Sequence, residues 1–204
     1  MDINTRLQEY TGLTRSQALR TSTFYIIAAC LFSLSMLVTT LHIENKGILT
    51  SRGLSSGAAA SMFTVTGIAA AISMPIVGRL LDRVPTERML AGGLLVMAAS
   101  LFSATLVVDL KSAIVYALIF GINNGITMTY FTFMWPRYFG RKHLGHIQGT
   151  GQMVGVVGAS LGPLPLAIAI DTSGGYDTTL RGLALIPVLL AGAALFLREV
   201  HHDA

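Results

Sequence analysis

One segment of the chain carries amide, hydroxyl and phenol groups at helical spacing within an otherwise apolar run. Asn123, Thr127 and Tyr130 fall at positions i, i+4 and i+7, so a helix would place them on one face, with Asn124 beside them. Such groups can line a water-filled path and hydrogen-bond a polar solute, because an amide that faces lipid has no partner. They can also join neighbouring helices by interhelical hydrogen bonds. We predict that Asn123, Asn124, Thr127 and Tyr130 line a cavity, with helix–helix bonding as the alternative.

A second polar row follows in the next apolar segment. Gln148, Gln152 and Gly155 recur at helical spacing, and Gln152 is predicted to face the same cavity. Ser33, in the first apolar segment, is a weaker candidate. None of these segments has an acidic or basic residue near its middle, where a charge costs about 2.5–3.5 kcal/mol and usually marks ion coupling. The candidates can therefore offer hydrogen bonds to a solute but no charge.

Catalytic and metal-binding chemistry has little support. The run Gly53-Leu54-Ser55-Ser56-Gly57 fits the G-x-S-x-G pattern of hydrolase nucleophiles, but a serine that opens an apolar segment is an ordinary helix N-cap. His143 and His146, like the run 201–203 (His-His-Asp), are typical of solvated loops and tails. The single Cys30 excludes an intrachain disulfide, and no phosphate-binding Gly-Lys-Ser/Thr loop is present. We predict no enzyme activity, no cofactor and no metal.

The elements that position these residues are six apolar stretches, which fill most of the 204-residue chain. A helix needs roughly 20 apolar residues to cross the hydrocarbon core of a bilayer. The predicted spans are Phe24–Leu41, Leu54–Leu81, Met89–Val108, Ala113–Trp135, Ile147–Ile170 and Gly182–Leu197. Charged residues make up only 12% of the chain and hydrophobic residues 52%. These observations predict an all-α, multi-pass integral membrane protein with six transmembrane helices, in contact with the lipid bilayer.

The distribution of Lys and Arg predicts the orientation. With the N-terminus inside, ten basic residues are cytoplasmic: Arg6, Arg15, Arg20, Arg79, Arg83, Arg88, Arg137, Arg141, Lys142 and Arg198. Four lie outside: Lys46, Arg52, Lys111 and Arg181. This excess follows the positive-inside rule, so both termini are predicted to be cytoplasmic, in a cell or inner membrane. Basic residues confined to loops and helix ends do not favour nucleic-acid binding.

The chain divides into three predicted parts. Residues 1–23 are predicted to form a cytoplasmic linker and interfacial helix without a cleavable signal sequence, with Thr14 and Gln17 forming a capping box. Residues 24–197 form the six-helix bundle, and residues 198–204 form a cytoplasmic tail. The polar segment His42–Gly53 is predicted to be an outer loop. Within the bundle, Gly121–Gly125, Gly151–Gly155 and Gly158–Gly162 have the spacing that allows close helix packing.

The loop after the second span carries a recognisable pattern. It runs Gly78-Arg79-Leu80-Leu81-Asp82-Arg83-Val84-Pro85-Thr86-Glu87-Arg88. This resembles the G-x-L-x-D-R-x-G-R-R signature of the major facilitator superfamily, with Pro85 and Thr86 in place of the usual glycine and basic residue. The resemblance implies that Gly78, Asp82, Arg83 and Arg88 form a cytoplasmic latch that holds one conformation. The alternative is a basic loop that fixes topology, with Asp82 as a helix cap.

A second resemblance lies between the fourth and fifth spans. The run Tyr138-Phe139-Gly140-Arg141-Lys142-His143 enters a Gly-rich helix, and it looks like the C-terminal half of monocarboxylate or oxalate–formate type facilitators. The resemblance implies secondary transport of a small solute, which could be an organic anion, by alternating access. The relatives place a cation in the second or fifth helix of this half, and this chain has none there.

Facilitators of this superfamily have twelve spans in two halves, so six spans resemble the C-terminal half alone. We therefore predict a partner, either a second six-helix half or a second copy in a homodimer. The alternative is a truncated or remnant membrane protein without transport activity of its own, which would act in assembly or interaction.

Overall fold

The computed structural model describes residues 12–173 and 175–197, without the side chains of residues 169–173. These residues form eight helices and no β-strand. The helices are α1 Arg15–Ala18, α2 Ser22–Ser51, α3 Ser56–Leu81, α4 Thr86–Thr105, α5 Leu110–Phe139, α6 Leu144–Leu161, α7 Leu164–Ser173 and α8 Asp177–Ala194. Part of the predicted linker (residues 1–11) and the predicted tail (residues 198–204) lie outside the described residues.

The six predicted spans are confirmed as helices of membrane length. Within the described residues, six helices are long and apolar enough to cross a bilayer: α2, α3, α4, α5, the segment Leu144–Ile168 and α8. The fifth span is interrupted where α6 ends and α7 begins, at Gly162 and Pro163. Proline lacks the N–H that would continue the helical bonds there, which explains the break.

The prediction of an outer loop at His42–Gly53 was wrong for most of its length. Helix α2 continues through this polar segment to Ser51, and the turn comes at Gly53, whose φ is 85°. Ile48 and Leu49 in the segment are completely buried. Burial of this apolar pair stabilises nearly three further helical turns that the polarity of the segment did not indicate.

The predicted helix starts are present. Thr14 and Gln17 form the expected capping box at α1, and the Ser55 side chain accepts a hydrogen bond from the Ala58 N–H at the start of α3. The serine of the G-x-S-x-G run therefore satisfies a free backbone donor, as an N-cap does.

The spans pack in pairs that suggest an internal repeat. Helix α3 packs on α5, and α2 packs on α6. Helix α4 packs on both α5 and α8, and α8 also contacts α2. If spans one, two and three (α2, α3 and α4) correspond to spans four, five and six (α5, α6 and α8), each contact has a counterpart. The α3–α5 contact corresponds to the α6–α2 contact, and the α4–α5 contact corresponds to the α8–α2 contact. This pattern is the one that an inverted three-helix repeat produces.

Two of these pairs meet along glycines, and we call them the glycine seams. In the α3–α5 seam, a methyl group on Gly121 would lie 2.5 Å from the Thr66 carbonyl oxygen, and one on Gly125 would lie 2.7 Å from the Ala70 carbonyl oxygen. The second seam joins α2 to α6. The predicted packing role of these small residues is confirmed, because any side chain there would meet the backbone of the facing helix.

In the α2–α6 seam, methyl groups on Gly158 and Gly162 would lie 2.6 Å and 2.7 Å from the carbonyl oxygens of Phe32 and Met36. Gly151 and Gly155 of α6 instead make room for aromatic rings of α5, those of Trp135 and Phe131. The fifth span is therefore held between α2 and α5 by its small residues.

The segment before α1 is bound to the end of α5. The Leu13 N–H donates to the Phe139 carbonyl at 3.0 Å, and Gly12 forms an antiparallel bridge with Gly140. Gly140 has φ 76° and ψ −179°, a conformation that is costly for any residue with a Cβ. The bridge links the predicted linker to the connection between the fourth and fifth spans.

We expect Gly140→Ala to destabilise the protein by about 1–3 kcal/mol, because the backbone conformation required there is open essentially to glycine alone. Gly145→Ala is the matched control, since a methyl group at Gly145 in α6 meets nothing within 4 Å. Thermal unfolding of the detergent-purified variants measures the difference. Equal stability of the two variants would contradict the role given to Gly140.

Candidate functional site

The predicted polar row of α5 faces the interior of the bundle, against α4. Asn123 is completely buried, and its Nδ2 donates to the Met97 Sδ at 2.9 Å. Its Oδ1 is buried without a hydrogen-bond partner. A thioether is a weak acceptor, so this amide is poorly satisfied by protein groups. Within this conformation Asn123 is an internal contact between α4 and α5.

Thr127 and Tyr130 continue the same buried face. The Thr127 hydroxyl donates to the Asn123 carbonyl at 2.9 Å, and the Tyr130 hydroxyl donates to the Met89 carbonyl. Gly93 of α4 makes room for the Tyr130 ring, since a methyl group there would lie 2.6 Å from Cε2. The structure thus brings Asn123, Thr127 and Tyr130 together on one face, as predicted from their spacing, and turns that face toward α4.

Asn124 has a different environment. Its side chain is half-buried, and its Oδ1 has no hydrogen-bond partner in the described part of the chain. Phe131, seven residues further along α5, shares its side of the helix and contacts the position of Gly155 on α6. Asn124 therefore lies on the side of α5 that is turned toward α6. Helix α6 is the helix that contains Gln152.

Among the residues predicted to line the cavity, Gln152 alone is exposed. It is the ninth residue of α6, and its side chain makes no hydrogen bond among the described residues. Two exposed hydroxyls of the same span are satisfied by their own helix: Ser160 donates to the Val156 carbonyl at 2.9 Å and Thr150 to the His146 carbonyl at 3.0 Å. An amide side chain has no such local solution. Gln152 therefore requires water, solute or another polar partner.

The hydroxyls of α2 hold α6 in place. Ser35 donates to the Gly155 carbonyl at 2.8 Å, and Thr40 donates to the Gly162 carbonyl at 2.5 Å. Ser33, the predicted candidate, is buried, and its Oγ has no hydrogen-bond partner. Its neighbours on α2 thus act in helix–helix bonding, and the structure does not bring Ser33 to an open surface.

Sequence reasoning missed one buried polar residue of α2, Asn45. It is completely buried, and neither its Nδ2 nor its Oδ1 has a hydrogen-bond partner among the described residues. It was missed because the segment was predicted to be a loop. The apolar pair Ile48 and Leu49, three and four residues on, is the signal that could have shown a helix with a buried face.

The motif after the second span lies on the surface of the bundle. Asp82 is the C-cap residue of α3, and Asp82, Arg83 and Arg88 are exposed. None of the three makes an ion pair among the described residues. A methyl group on Gly78 would meet nothing within 4 Å. The motif is therefore open to solvent or to a group outside the described residues.

The opposite end of the bundle has its own polar contacts. Arg52, after α2, forms an ion pair with Asp177 at the start of α8. The Tyr176 hydroxyl donates to the Glu44 Oε2 at 3.4 Å. Burial, assisted by the negative charge of Glu44, raises the pKa of the Tyr176 phenol above its usual value, so it remains a hydrogen-bond donor at neutral pH. These contacts tie the end of α2 to the start of α8.

The charges of the spanning helices all lie close to helix ends. Glu44 is the deepest charged residue of α2, about two turns before its end at Ser51. In the ranges 12–173 and 175–197, no group of three or more His, Cys, Asp or Glu residues could hold a metal ion. His201, His202 and Asp203 lie outside those ranges. The chemistry available at mid-depth is hydrogen bonding by amides and hydroxyls.

Comparison with known proteins supports one family. The family model described as the Major Facilitator Superfamily matches residues 10–204, which is nearly the whole chain. A search of curated proteins found no match.

Proposed function

The chain belongs to the major facilitator superfamily, whose members are membrane transporters, and from this premise we propose that it carries a small solute across the membrane by alternating access. In that mechanism two six-helix bundles rock about a site near the middle of the membrane. The membrane-length helices and the family support membrane transport in general.

The single observation that carries the proposal is the exposed amide of Gln152 at membrane depth, which has no hydrogen-bond partner among the described residues. Lipid offers no hydrogen bond to an amide, so exposing this group to hydrocarbon would cost several kcal/mol. Its exposure is explained if this side of α6 faces a water-filled path. We assign Gln152 and the half-buried Asn124 to the solute-facing surface. The fully buried Asn123, Thr127 and Tyr130, with Ser33, support that surface from behind.

A second six-helix bundle completes the path in this proposal. The bundle described here corresponds to the C-terminal half, and the opposing bundle is supplied by the same polypeptide, by another chain or by a second copy. The exposed, unpaired Asp82, Arg83 and Arg88 support this, because a conformational latch needs a partner that the described bundle does not supply. Gly78, with open space around it, leaves room for that approach.

The solute is small and polar in this proposal. Amides at mid-depth recognise hydrogen-bonding groups, and the described spans have no cation there to bind an anion. A carboxylate solute of the kind suggested by the resemblance to monocarboxylate and oxalate–formate facilitators would therefore need a cation from the opposing bundle. Both termini are proposed to be cytoplasmic in a cell or inner membrane, with residues 1–23 as linker, 24–197 as bundle and 198–204 as tail.

The competing proposal is a membrane protein without transport activity, which acts through assembly. The same unpaired latch residues favour it, since they could bind a partner that does not move. Reconstitution of the purified chain in liposomes, with measurement of its oligomeric state and a screen for saturable solute uptake, separates the two. Saturable uptake by an assembly of two bundles supports transport. Uptake by a demonstrated monomer of six spans would contradict the two-bundle proposal.

Gln152 and its neighbour Met153 provide a test of the water-filled path. Both side chains are exposed, but they point from different sides of α6. In a Cys30→Ala background, we expect a small hydrophilic thiol reagent to label Gln152→Cys and to leave Met153→Cys unlabelled, because only a water-exposed thiol forms the reactive thiolate.

The two variants control for exposure and for membrane depth, because both positions are exposed and they are adjacent in the chain. Labelling is measured by mass spectrometry on membranes. Equal labelling of the two positions, or labelling of Met153→Cys alone, would contradict the assignment of Gln152 to the solute-facing surface.

A further inference from the structure

A groove runs between α4 and α8 on the outside of the bundle. It has a volume of about 440 Å³ and is lined by Ala98, Ala99 and Phe102 of α4 and by Arg181, Ala184, Leu185 and Val188 of α8. The α8 residues fall at positions i, i+3, i+4 and i+7, which places them on one face of that helix. The small side chains of the three alanines leave space between the helices, and the larger Phe102, Leu185 and Val188 are exposed along the groove.

One end of the groove carries a positive charge. As the third and sixth membrane crossings, α4 and α8 cross in opposite directions, so Arg181, near the start of α8, lies at the end of the groove where α4 terminates. Asp177, one turn before Arg181, is already paired with Arg52. The Arg181 side chain is exposed and makes no ion pair or hydrogen bond among residues 12–173 and 175–197. Its guanidinium is therefore free to bind an anion at the membrane surface.

An apolar groove with a cation at its membrane-surface end matches one kind of ligand. From Arg181 to Val188 the α8 side of the groove extends about 10 Å into the hydrocarbon region, at 1.5 Å per residue. A glycerophospholipid has an acyl chain that fits the apolar part and a phosphate that an arginine binds through its planar donors. We propose that this groove binds one anionic phospholipid, with its acyl chain between α4 and α8 and its phosphate on Arg181.

The site does not depend on transport, since it lies on the α4–α8 face and contains none of the solute-facing residues. A bound lipid would pair with Arg181 and fill the space between two helices that pack against each other. We therefore expect bound lipid to stabilise the α4–α8 pair.

The test measures lipid binding to the purified full chain by native mass spectrometry, with phosphatidylglycerol and phosphatidylcholine as probes. We expect phosphatidylglycerol to bind preferentially and to raise the melting temperature. Arg181→Gln should weaken its binding about fivefold, the effect of one basic residue worth about 1 kcal/mol at a lipid surface. Lys111→Gln is the control, because Lys111 is exposed on the same side of the membrane and lies outside the groove.

A second variant tests the apolar part. Ala99→Leu places a larger side chain at an exposed position of the groove and should also weaken phosphatidylglycerol binding, while Ala71→Leu, at an exposed position of α3, should not. Equal losses in Arg181→Gln and Lys111→Gln, no effect of Ala99→Leu, or displacement of the lipid by inorganic phosphate would each overturn the proposal. Circular dichroism confirms that each variant is folded.

Discussion

Replacing Gly121 by valine is expected to destabilise the bundle by about 1–3 kcal/mol more than the same replacement at Gly67. A Cβ at Gly121 would lie 2.5 Å from the Thr66 carbonyl oxygen and 2.6 Å from the Ala69 Cβ, so α3 and α5 must move apart. The backbone atom cannot rotate out of the way as the end of a side chain can. Packing contacts between α3 and α5 are therefore lost along the whole seam.

Gly67 is a suitable control because it lies on α3 beside the same seam, and a Cβ there meets nothing within 4 Å. Both variants exchange glycine for valine within a helix, so the change in helix propensity is shared. Thermal unfolding in detergent, or the yield of monodisperse protein, measures the difference. Equal stability would show that the α3–α5 contact is looser than the structure has it.

Replacing Asn123 by aspartate is expected to lower stability by about 3–5 kcal/mol at neutral pH, the loss typical of an uncompensated buried charge. Asn123 is completely buried, and its only side-chain partner among the described residues is the Met97 sulfur, which cannot stabilise a carboxylate. The exchange is nearly isosteric, so it tests polarity and not packing. The free energy of unfolding in mixed detergent is the measurement.

Two further variants make this test decisive. Asn124→Asp should cost clearly less, because Asn124 is only half-buried. Asn123→Leu should change stability by less than about 1.5 kcal/mol, because it also removes the unpartnered Oδ1. If Asn123→Asp were tolerated as well as Asn124→Asp, water must reach Asn123, and the residue would move from the supporting layer to the cavity surface.

Most of the architecture could be predicted from the sequence because it depends on local quantities. Span lengths follow from the thickness of the bilayer, the caps of α1 and α3 from Thr14 and Ser55, and the glycine seams from small residues four apart. Each of these features is determined by one segment and its solvent. The family was likewise indicated by the loop motif after the second span, and the family match over residues 10–204 confirmed it.

The direction of the polar face of α5 could not be predicted in the same way. Helical periodicity shows that Asn123, Thr127 and Tyr130 share a face, but it does not show which helix stands opposite. The structure turns this face to α4 because Gly93 accommodates the Tyr130 ring and Gly121 and Gly125 occupy the other side against α3. The extension of α2 to Ser51 was missed for a similar reason, since the burial of Ile48 depends on its neighbours in space.

The glycine seams also limit how far the paired helices can move relative to each other. Where side chains separate two helices, a change of rotamer absorbs part of any relative displacement. At Gly121 against Thr66 and at Gly158 against Phe32, backbone meets backbone, and no such adjustment is available. We therefore expect each pair, α3 with α5 and α2 with α6, to move as one rigid unit when the bundle changes conformation.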